Sequence, residues 1–428
     1  MHQVDPQGRP VGPAASLAFE EHRLDNGLRV ILHPDRRLPR VAVNLLYRVG
    51  SADDPPGRSG LAHLLEHLMF MGTKRAPEGR FDSLMESVGG WSNAFTSEDY
   101  TVYYNVGPAR LLATLLWLEA DRLAGAGPAL TRSKLRVQRD VVLNELLQEY
   151  HNTPYGIAEL VQPGMLYRRG HPYARSVIGN ADELRRVTVS DVRGHLRRFY
   201  SPANASLVLA GDFEPRAALA QVRRYFGWIR RRGSARGARP ARRGRRGGLR
   251  VLRDAVELPR LQISWHSPAY FRGGDAEMDM VGEILSSGKH SWLHRELVHE
   301  RRLAASVDAY QLSRPLGSVF TVGITLRSGV PTRRLEEATR ERLARFGSRR
   351  LDAELRRARR GFETGYFLGL QRLQRRAELL NLYAEALGHP DGVAADLSRY
   401  RRVDARSIRE VYSAVLRRPP AVIWVLPR

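Results

Sequence analysis

Two histidines and a glutamate lie within five residues near the N-terminal end of the chain. His63 and His67 are four residues apart, with Glu66 between them in the stretch His63-Leu-Leu-Glu-His67. On a helix, residues at i and i+4 share one face, so both imidazoles can hold the same metal ion. A glutamate beside them can take a proton from water and return it to a leaving amine. This H-x-x-E-H spacing is a metallopeptidase signature, and it predicts zinc-assisted hydrolysis of peptide bonds.

A zinc ion on two histidines needs a third protein ligand and keeps one position open for water. The chain has no cysteine, so this ligand must be a histidine or a carboxylate. We predict Glu145, in a stretch with a helical pattern, as the third ligand. Glu149, one helical turn later, is the alternative ligand. Asp140 and Glu119 are candidates to orient a histidine from outside the ligand set.

Two local elements must position this chemistry. Apolar residues around the histidines predict a buried helix that Ser59 can cap and Gly72 can end. Further along, residues 91–104 alternate in polarity and are rich in β-forming residues. An exposed strand edge near a metal can pair with an extended peptide through main-chain hydrogen bonds. We therefore expect a peptide substrate to bind along this segment.

The chain as a whole repeats one order of elements around a basic segment. It has 428 residues, of which 43% are hydrophobic, enough for two or three cored domains. Similar runs of strand-like and helical stretches occur before and after the basic segment. We predict an α+β fold of two similar halves, each a mostly antiparallel sheet covered by helices on one face. The expected divisions are a metal-binding half (15–228), an Arg/Gly-rich linker (229–250) and a second half without metal (251–428).

The charge and the chain start set expectations about partners. The formal net charge is +24, and ten arginines lie between Arg230 and Arg250. No aromatic residue interrupts that segment, so we favour a solvated linker over a nucleic-acid interface, although an acidic partner stays an alternative. The sequence has no signal-peptide pattern and no run of about 18 apolar residues. We expect a cytoplasmic protein with no membrane contact and no nucleic-acid partner.

Several blocks, in the same order along the chain, resemble the pitrilysin/insulinase-type zinc peptidases, particularly half-length bacterial members like the mitochondrial processing peptidase. The matching blocks are LDNGLRVILHPD, GLAHLLEHLMFMGT, GGWSNAFTSEDYTVYY, VQRDVVLNELLQEYHNTPYG, HPYARSVIGNADEL, FYSPANASLVLAGDF and GEILSSGKHSWLHRELVHERRLA. The resemblance implies a zinc endopeptidase fold that encloses its substrate like a clamshell.

The resemblance also assigns roles to individual residues. It implies that His63, His67 and Glu145 are the zinc ligands and that Glu66 is the catalytic base. It further implies that Asn93 and Ala94 hold the substrate backbone. Many relatives have a glutamate seven residues before the third ligand, and this chain has Gln138 there. Glutamine can still form hydrogen bonds near the metal site, but it adds no charge.

The second half departs from the family at a second pair of positions. Active relatives place an Arg and a Tyr, seven residues apart, over the substrate, and the matching residues here are Val298 and Ala305. Neither side chain can donate a hydrogen bond. We predict a heterodimer in which a related chain supplies the Arg/Tyr pair. The alternatives are a self-sufficient homodimer that uses Tyr310, Arg301 or Arg302 instead, and a non-catalytic scaffold protein.

Overall fold

A computed structural model describes residues 16–233, 247–348 and 350–428, and its strands form two separate sheets. The first sheet has the order β1-β2-β6-β3-β5-β4. Its strands are β1 (Glu20–Arg23), β2 (Arg29–Pro34), β3 (Arg40–Tyr47), β4 (Trp91–Thr96), β5 (Thr101–Pro108) and β6 (Ala205–Gly211). The second sheet has the order β7-β11-β8-β10-β9. Its strands are β7 (Gly248–Asp254), β8 (Arg260–Ser267), β9 (Ala304–Leu312), β10 (Ser318–Leu326) and β11 (Ala421–Pro427).

The two sheets share one topology. In each, an early strand runs parallel to the last strand of its half, as β2 does to β6 and β7 to β11. The remaining neighbours are antiparallel and follow in the same order, ending on β4 in one sheet and β9 in the other. Only β1, at the opposite edge of the first sheet, has no counterpart in the described residues. The prediction of two similar, mostly antiparallel α+β halves is confirmed.

Helices separate the strands in both halves. Those of the first half are α1 (Leu61–Leu68), α2 (Arg80–Ser87), α3 (Leu112–Ala129), α4 (Arg132–Leu146), α5 (Ile157–Leu166), α6 (Ala181–Arg185), α7 (Val189–Phe199) and α8 (Pro215–Phe226). Those of the second half are α9 (Asp275–Ser286), α10 (Thr332–Phe346), α11 (Asp352–Leu370), α12 (Leu373–Leu387), α13 (Val393–Arg402) and α14 (Ala405–Leu416). Single turns of π-helix occur at Leu147–His151 and His294–Glu300. Short 3₁₀ turns occur at Ser51–Asp53, Ala109–Leu111 and Pro202–Asn204.

The two halves exchange one helix each. Helix α12 of the second half packs on β3 and β6, where Ala377 and Leu380 join a buried cluster with Ile31. Helix α5 of the first half packs on the second sheet, where Met165 shares a buried cluster with Ile423. A sheet that is apolar on both faces needs cover on both. Each half's own helices cover one face, as predicted, and the exchanged helix covers the other.

The predicted linker, residues 229–250, lies largely outside the described residues, since 234–246 are not among them. At its start, Ile229 is buried in the core of the first half. At its end, strand β7 already begins at Gly248. Within the ranges that the structure describes, no helix combines the length and the apolar character needed to span a bilayer.

Candidate active site

Helix α1 carries the two histidines, and a distant carboxylate fixes its start. The Gly60 N–H donates to Asp54 Oδ2 at 2.7 Å and the Ala62 N–H donates to Oδ1 at 2.8 Å. Asp54 therefore caps the helix in place of Ser59, whose N–H donates to Glu183. Burial raises the pKa of Asp54 to about 7.

The predicted end of this helix also differs from the structure. The helix ends at Leu68, four residues before Gly72. Gly72 lies in a turn, bridged to Pro77, with a φ of 69°. A Cβ there would lie 2.4 Å from the Glu78 nitrogen, so the turn requires glycine.

Three side chains converge at the open side of α1. His67 Nε2 lies 3.2 Å from Glu145 Oε2, and His63 Nε2 lies 3.6 Å from Glu145 Oε1. One donor atom from each residue falls within 4.8 Å of the other two. Glu145 reaches the histidines from the end of α4, which packs against α1. The structure thus brings together all three residues that the sequence proposes as ligands.

The chemistry of these donors fits a transition metal such as zinc. Tetrahedral zinc binds nitrogen and oxygen at about 2.0–2.2 Å, which puts neighbouring ligand atoms about 3.3 Å apart. The two His–Glu separations lie close to that spacing. Two imidazoles and one carboxylate leave a fourth position for water, as in catalytic zinc sites. His63 Nδ1 is buried and has no hydrogen-bond partner among the described residues, so that nitrogen lacks the outer support common at metal-bound histidines.

The charges in the cluster differ between its members. Burial lowers the pKa of His63 to about 4, which keeps this imidazole neutral and able to bind a metal. Burial lowers the pKa of His67, but the hydrogen bond with Glu145, the charges of Glu66 and Glu145 and the bond with Gln138 together outweigh burial, so the net shift is upward. The same bond lowers the pKa of Glu145. An ionised carboxylate thus faces both imidazoles.

Glu66 lies beside this cluster and is only 7% exposed. Its Oε2 accepts a 2.6 Å hydrogen bond from the Thr96 hydroxyl on β4. Burial raises the pKa of Glu66, although the Thr96 bond and His67 both oppose that shift. A carboxylate with a raised pKa is a stronger base, which suits a group that must take a proton from water. The Thr96 bond also ties the base to the strand edge.

The other polar residues named from the sequence occupy different places. Gln138 borders the same cavity, where its Nε2 contacts Met71 Sδ at 2.7 Å and its side chain bonds His67. Glu149 is exposed on the π-helical turn and is outside the cluster. Asp140 is exposed on α4. Glu119 is buried, accepts a 2.6 Å bond from Asn105 and is outside the cluster.

The cluster opens into a cavity of about 700 Å³. All of its lining residues belong to the first half, and they include Asn93, Ala94 and Thr96 of β4. Because β4 is the last strand of its sheet, it pairs with β5 on one side only. The Ala94 N–H donates to Asn93 Oδ1 at 2.8 Å, so a peptide that uses this N–H must displace a local bond.

The second-half positions discussed in the sequence analysis, both the two that match the family's Arg/Tyr pair and the three possible substitutes, lie away from the proposed ligands. Val298 packs against the core of that half and Ala305 is exposed on β9. Arg301 pairs with Glu341 at 3.0 Å, Arg302 is exposed with a φ of 52°, and Tyr310 is 48% exposed. Within the described part of the chain, none of these five residues borders the cavity beside His63, His67 and Glu145.

Two site residues were absent from the sequence analysis. Asp54 precedes its helix by several residues, outside the usual capping position, so local spacing carried no signal for it. Thr96 lies within a segment already expected to be a strand, and period-two alternation places it on the same face as Ala94. That alternation was the available signal, but the contact with Glu66 depends on how α1 packs on β4.

Two family models match the chain. Residues 29–175 match the model described as insulinase (peptidase family M16), and residues 186–362 match the peptidase M16 inactive domain. Together they cover most of both halves, and the chain belongs to the insulinase (M16) family. The first model contains the histidines and Glu145, whereas the inactive-domain model covers much of the second half.

Proteins with similar sequences include zinc proteases and a subunit of a respiratory complex. The chain is 29% identical to the zinc protease PqqE of Helicobacter pylori over 332 residues, which cover 76% of this chain and 73% of that one. It is 28% identical over 424 residues to an uncharacterized zinc protease of Mycobacterium bovis, with 96% and 94% covered. Over 204 residues it is 29% identical to bovine mitochondrial cytochrome b-c1 complex subunit 1, covering 48% and 42%.

Solved structures show the same fold. A protease from Helicobacter pylori superposes with a TM-score of 0.89 at 24% identity, covering 96% of this chain and 100% of that one. The periplasmic protease PqqL of Escherichia coli superposes with a TM-score of 0.75 at 19% identity. There the match covers 97% of this chain but 48% of PqqL, so this chain corresponds to about half of that protease.

Proposed function

We propose that this protein is a zinc-dependent endopeptidase subunit that hydrolyses extended peptides. The observation that carries the proposal is the convergence of His63, His67 and Glu145 beside the buried Glu66. The four residues border one cavity together with the unpaired edge of β4. The names of the protease relatives support the zinc and the peptide substrate.

The proton chemistry falls to Glu66. Zinc on the three ligands would polarise the substrate carbonyl and acidify water. The Glu66 carboxylate takes the proton of the attacking water and then donates it to the nitrogen of the breaking peptide bond. The Thr96 hydroxyl, bonded to Oε2, holds the carboxylate in one orientation during both transfers. The bond that breaks is the amide C–N bond, and the products are a carboxylate and an amine.

The substrate backbone binds along β4. An extended peptide pairs with a free strand edge through main-chain hydrogen bonds, which require no particular side chain. Asn93 and Ala94 lie on the part of β4 that borders the cavity, so they hold the backbone next to the metal ligands. This geometry favours unfolded segments and oligopeptides over folded proteins.

A related partner chain completes the site. The cavity has no lining residue from the second half in the described ranges, and the side chains of Val298 and Ala305 cannot donate hydrogen bonds. The match to half of PqqL supports a two-chain assembly with the length of that single protease. The partner would supply the Arg/Tyr pair, because removing donors that stabilise a developing oxyanion costs orders of magnitude in rate.

A non-catalytic assembly role is the second candidate. The match to the cytochrome b-c1 subunit favours it, as does the inactive-domain model over the second half. A scaffold, however, has no need for a metal cluster and a buried base in the same cavity. The two candidates therefore differ in their expected response to Glu66→Gln.

Hydrolysis of a mixed peptide library by the zinc-loaded chain, with Glu66→Gln as the blank, tests the proposal. We expect cleavage in the presence of a related chain that has the Arg/Tyr pair, and a loss of about 10²- to 10⁴-fold in Glu66→Gln. Full cleavage by the chain alone would contradict the need for a partner. A folded, zinc-loaded chain that cleaves nothing in either setting would favour the scaffold role.

A further inference from the structure

A second cavity lies at the other end of β4. It has a volume of about 450 Å³ and is bordered by Trp91 at the start of β4 and Val106 on β5. Its remaining walls are the segment after β2, the first residue of β3, and residues 371–374 and 376, which join α11 to α12 and form the first turn of α12. Trp91 is 40% exposed and packs edge-on against Tyr104, with ring centroids 5.5 Å apart. We call this space the arginine cavity because of the side chains described next.

The arginine cavity is lined by four arginines and one carboxylate. Asp35 bonds both Arg37 and Arg376, so its charge is already matched. Arg376 is only 5% exposed, and its Nε has no hydrogen-bond partner among the described residues. Arg40 and Arg372 are exposed, and the described ranges hold no carboxylate paired with either. The cavity therefore has an excess of positive charge and one buried donor that lacks an acceptor.

The start of α12 adds to this preference for anions. The helix begins at Leu373, and both Leu373 and Gln374 border the cavity. The first N–H groups of a helix have no acceptor within it and carry partial positive charge. With the exposed Arg40 and Arg372, they form a surface suited to a carboxylate. A carboxylate can also accept the paired donors of an arginine.

The phase of β4 connects the arginine cavity to the substrate path. Ala94 packs in the core beneath α1, and Thr96 reaches Glu66, so these side chains point to the metal side of the sheet. Trp91 and Phe95 both contact Tyr104, which places them on the opposite face. An added strand keeps this alternation, since residues opposite each other share a face. A peptide side chain opposite Ala94 thus faces the metal side of the sheet. The peptide residue three positions further on lies opposite Trp91, and its side chain faces the arginine cavity.

We propose that the arginine cavity is a specificity subsite for an acidic side chain or the C-terminal carboxylate of the peptide substrate. The carboxylate belongs to the third residue from the one opposite Ala94, about 10 Å along the strand. It lies on the C-terminal side, because every neighbouring pair from β6 to β4 is antiparallel and the substrate continues that pattern. This inference rests on the proposed binding of peptides along β4.

Peptides anchored on the metal test the subsite with a fixed register. Each probe has an N-terminal succinyl hydroxamate as the metal-binding group, followed by five residues and an amidated C-terminus. The probes form pairs that differ only at one of the five positions, where one probe has Glu and the other has the neutral Gln. Affinity for the zinc-loaded full chain is measured by competition with a fluorescent peptide. We expect Glu to bind about five- to tenfold tighter than Gln at the third position and by less than about twofold elsewhere.

A double variant, Arg40→Gln with Arg372→Gln, should still bind both the Glu and the Gln probe but should lose most of the difference in affinity between them. The matched control is Arg333→Gln with Arg406→Gln, whose parent side chains are 89% and 84% exposed on other helices. This control loses the same charge, so it separates the subsite from general attraction to a chain of net charge +24. Equal losses in both double variants would overturn the proposal.

Further outcomes separate this inference from the proposed function. Three-residue probes with a free C-terminus, compared with their amides, show whether the chain end also binds. Tight binding of all probes without any Glu preference overturns the subsite and leaves the peptidase proposal intact. A second probe set carries the hydroxamate at the C-terminus and Glu or Gln on its N-terminal side. A Glu preference in this set only contradicts the antiparallel direction and so overturns the assignment. Failure of every hydroxamate to bind the zinc-loaded chain contradicts the proposed function itself.

Discussion

The helix that follows the second shared strand differs between the two halves. In the first half this helix is α1, and its polar residues face an open cavity beside the edge strand β4. In the second half the corresponding helix is α9, which contacts the edge strand β9. Here Asp275 accepts bonds from Arg399 at 2.8 Å and from Ser313 at 2.8 Å. Asp279 accepts a 2.6 Å bond from Tyr400.

The same topology places polar side chains with different roles on these two helices. Asp275 and Asp279 of α9 accept hydrogen bonds from Gln311 on β9 and from Arg399 and Tyr400 on α13, so donors from neighbouring elements surround these two carboxylates. The two imidazoles of α1 and the Glu145 carboxylate of α4 instead converge on one gap, with spacings that fit a metal ion. Strand order is therefore common to both halves, whereas function depends on the few side chains at this position.

The largest expected effect concerns metal binding. We expect Glu145→Gln to lower zinc affinity by more than a hundredfold, because loss of even an outer partner of a ligand costs about 10- to 100-fold. Zinc should raise the melting temperature of the wild-type chain and not that of the variant. Metal analysis and thermal scans with and without zinc measure both effects.

Two controls sharpen that prediction. Glu149→Gln changes an exposed carboxylate one turn later and should retain zinc. Asp279→Asn changes a carboxylate of α9 in the second half, and it should leave zinc affinity and the zinc-dependent rise in melting temperature unaltered. If Glu149→Gln loses zinc while Glu145→Gln keeps it, the ligand assignment is wrong.

The second prediction concerns Asp279 on α9 and the pH dependence of the free energy of unfolding. Burial raises the pKa of Asp279 to about 7, against about 3.9 in an unfolded chain. Between these values the folded state binds the proton more tightly, so Asp279 lowers the free energy of unfolding as pH rises from about 4 to 7. The slope is at most about 1.4 kcal/mol per pH unit. Asp279→Asn should flatten this slope.

Urea midpoints at pH 5 and pH 8 measure that difference. The wild-type chain should lose more stability between the two values than Asp279→Asn does. Asp182→Asn is the matched control, since the Asp182 side chain is 78% exposed and its removal should not alter the slope. Identical pH profiles for wild type and Asp279→Asn would show that the charge of Asp279 costs nothing in the fold.

The smallest expected effect compares the two edge strands. Asn93→Ala should weaken peptide binding by about twofold to tenfold, in line with one hydrogen bond of about 0.5–1.5 kcal/mol. The catalytic rate at saturation should change less. Tyr310→Phe, on the equivalent edge β9, should leave both values unchanged. A large fall in rate for Tyr310→Phe would instead identify this tyrosine as the missing donor. Steady-state kinetics on one library-derived peptide distinguish these results.

Much of the architecture was accessible from sequence because its signals are periodic and repeated. The alternating strands and the order of elements predicted two α+β halves, and the structure has them. The exchanged helices α5 and α12 were not predicted. Their apolar residues indicate burial but not against which sheet, since a helix can pack on any apolar face within reach of its loops.

The sequence by itself determined that His63 and His67 share one face of a helix with Glu66 beside them. That relation is local, because the geometry of the α-helix alone sets the spacing of residues i, i+3 and i+4. Only the tertiary structure decided that Glu145 reaches both imidazoles while Glu149 does not. It likewise decided that Asp54 caps the helix and that Thr96 holds the base. Contacts between residues this far apart in sequence depend on how α1, α4 and β4 pack, which no local period encodes.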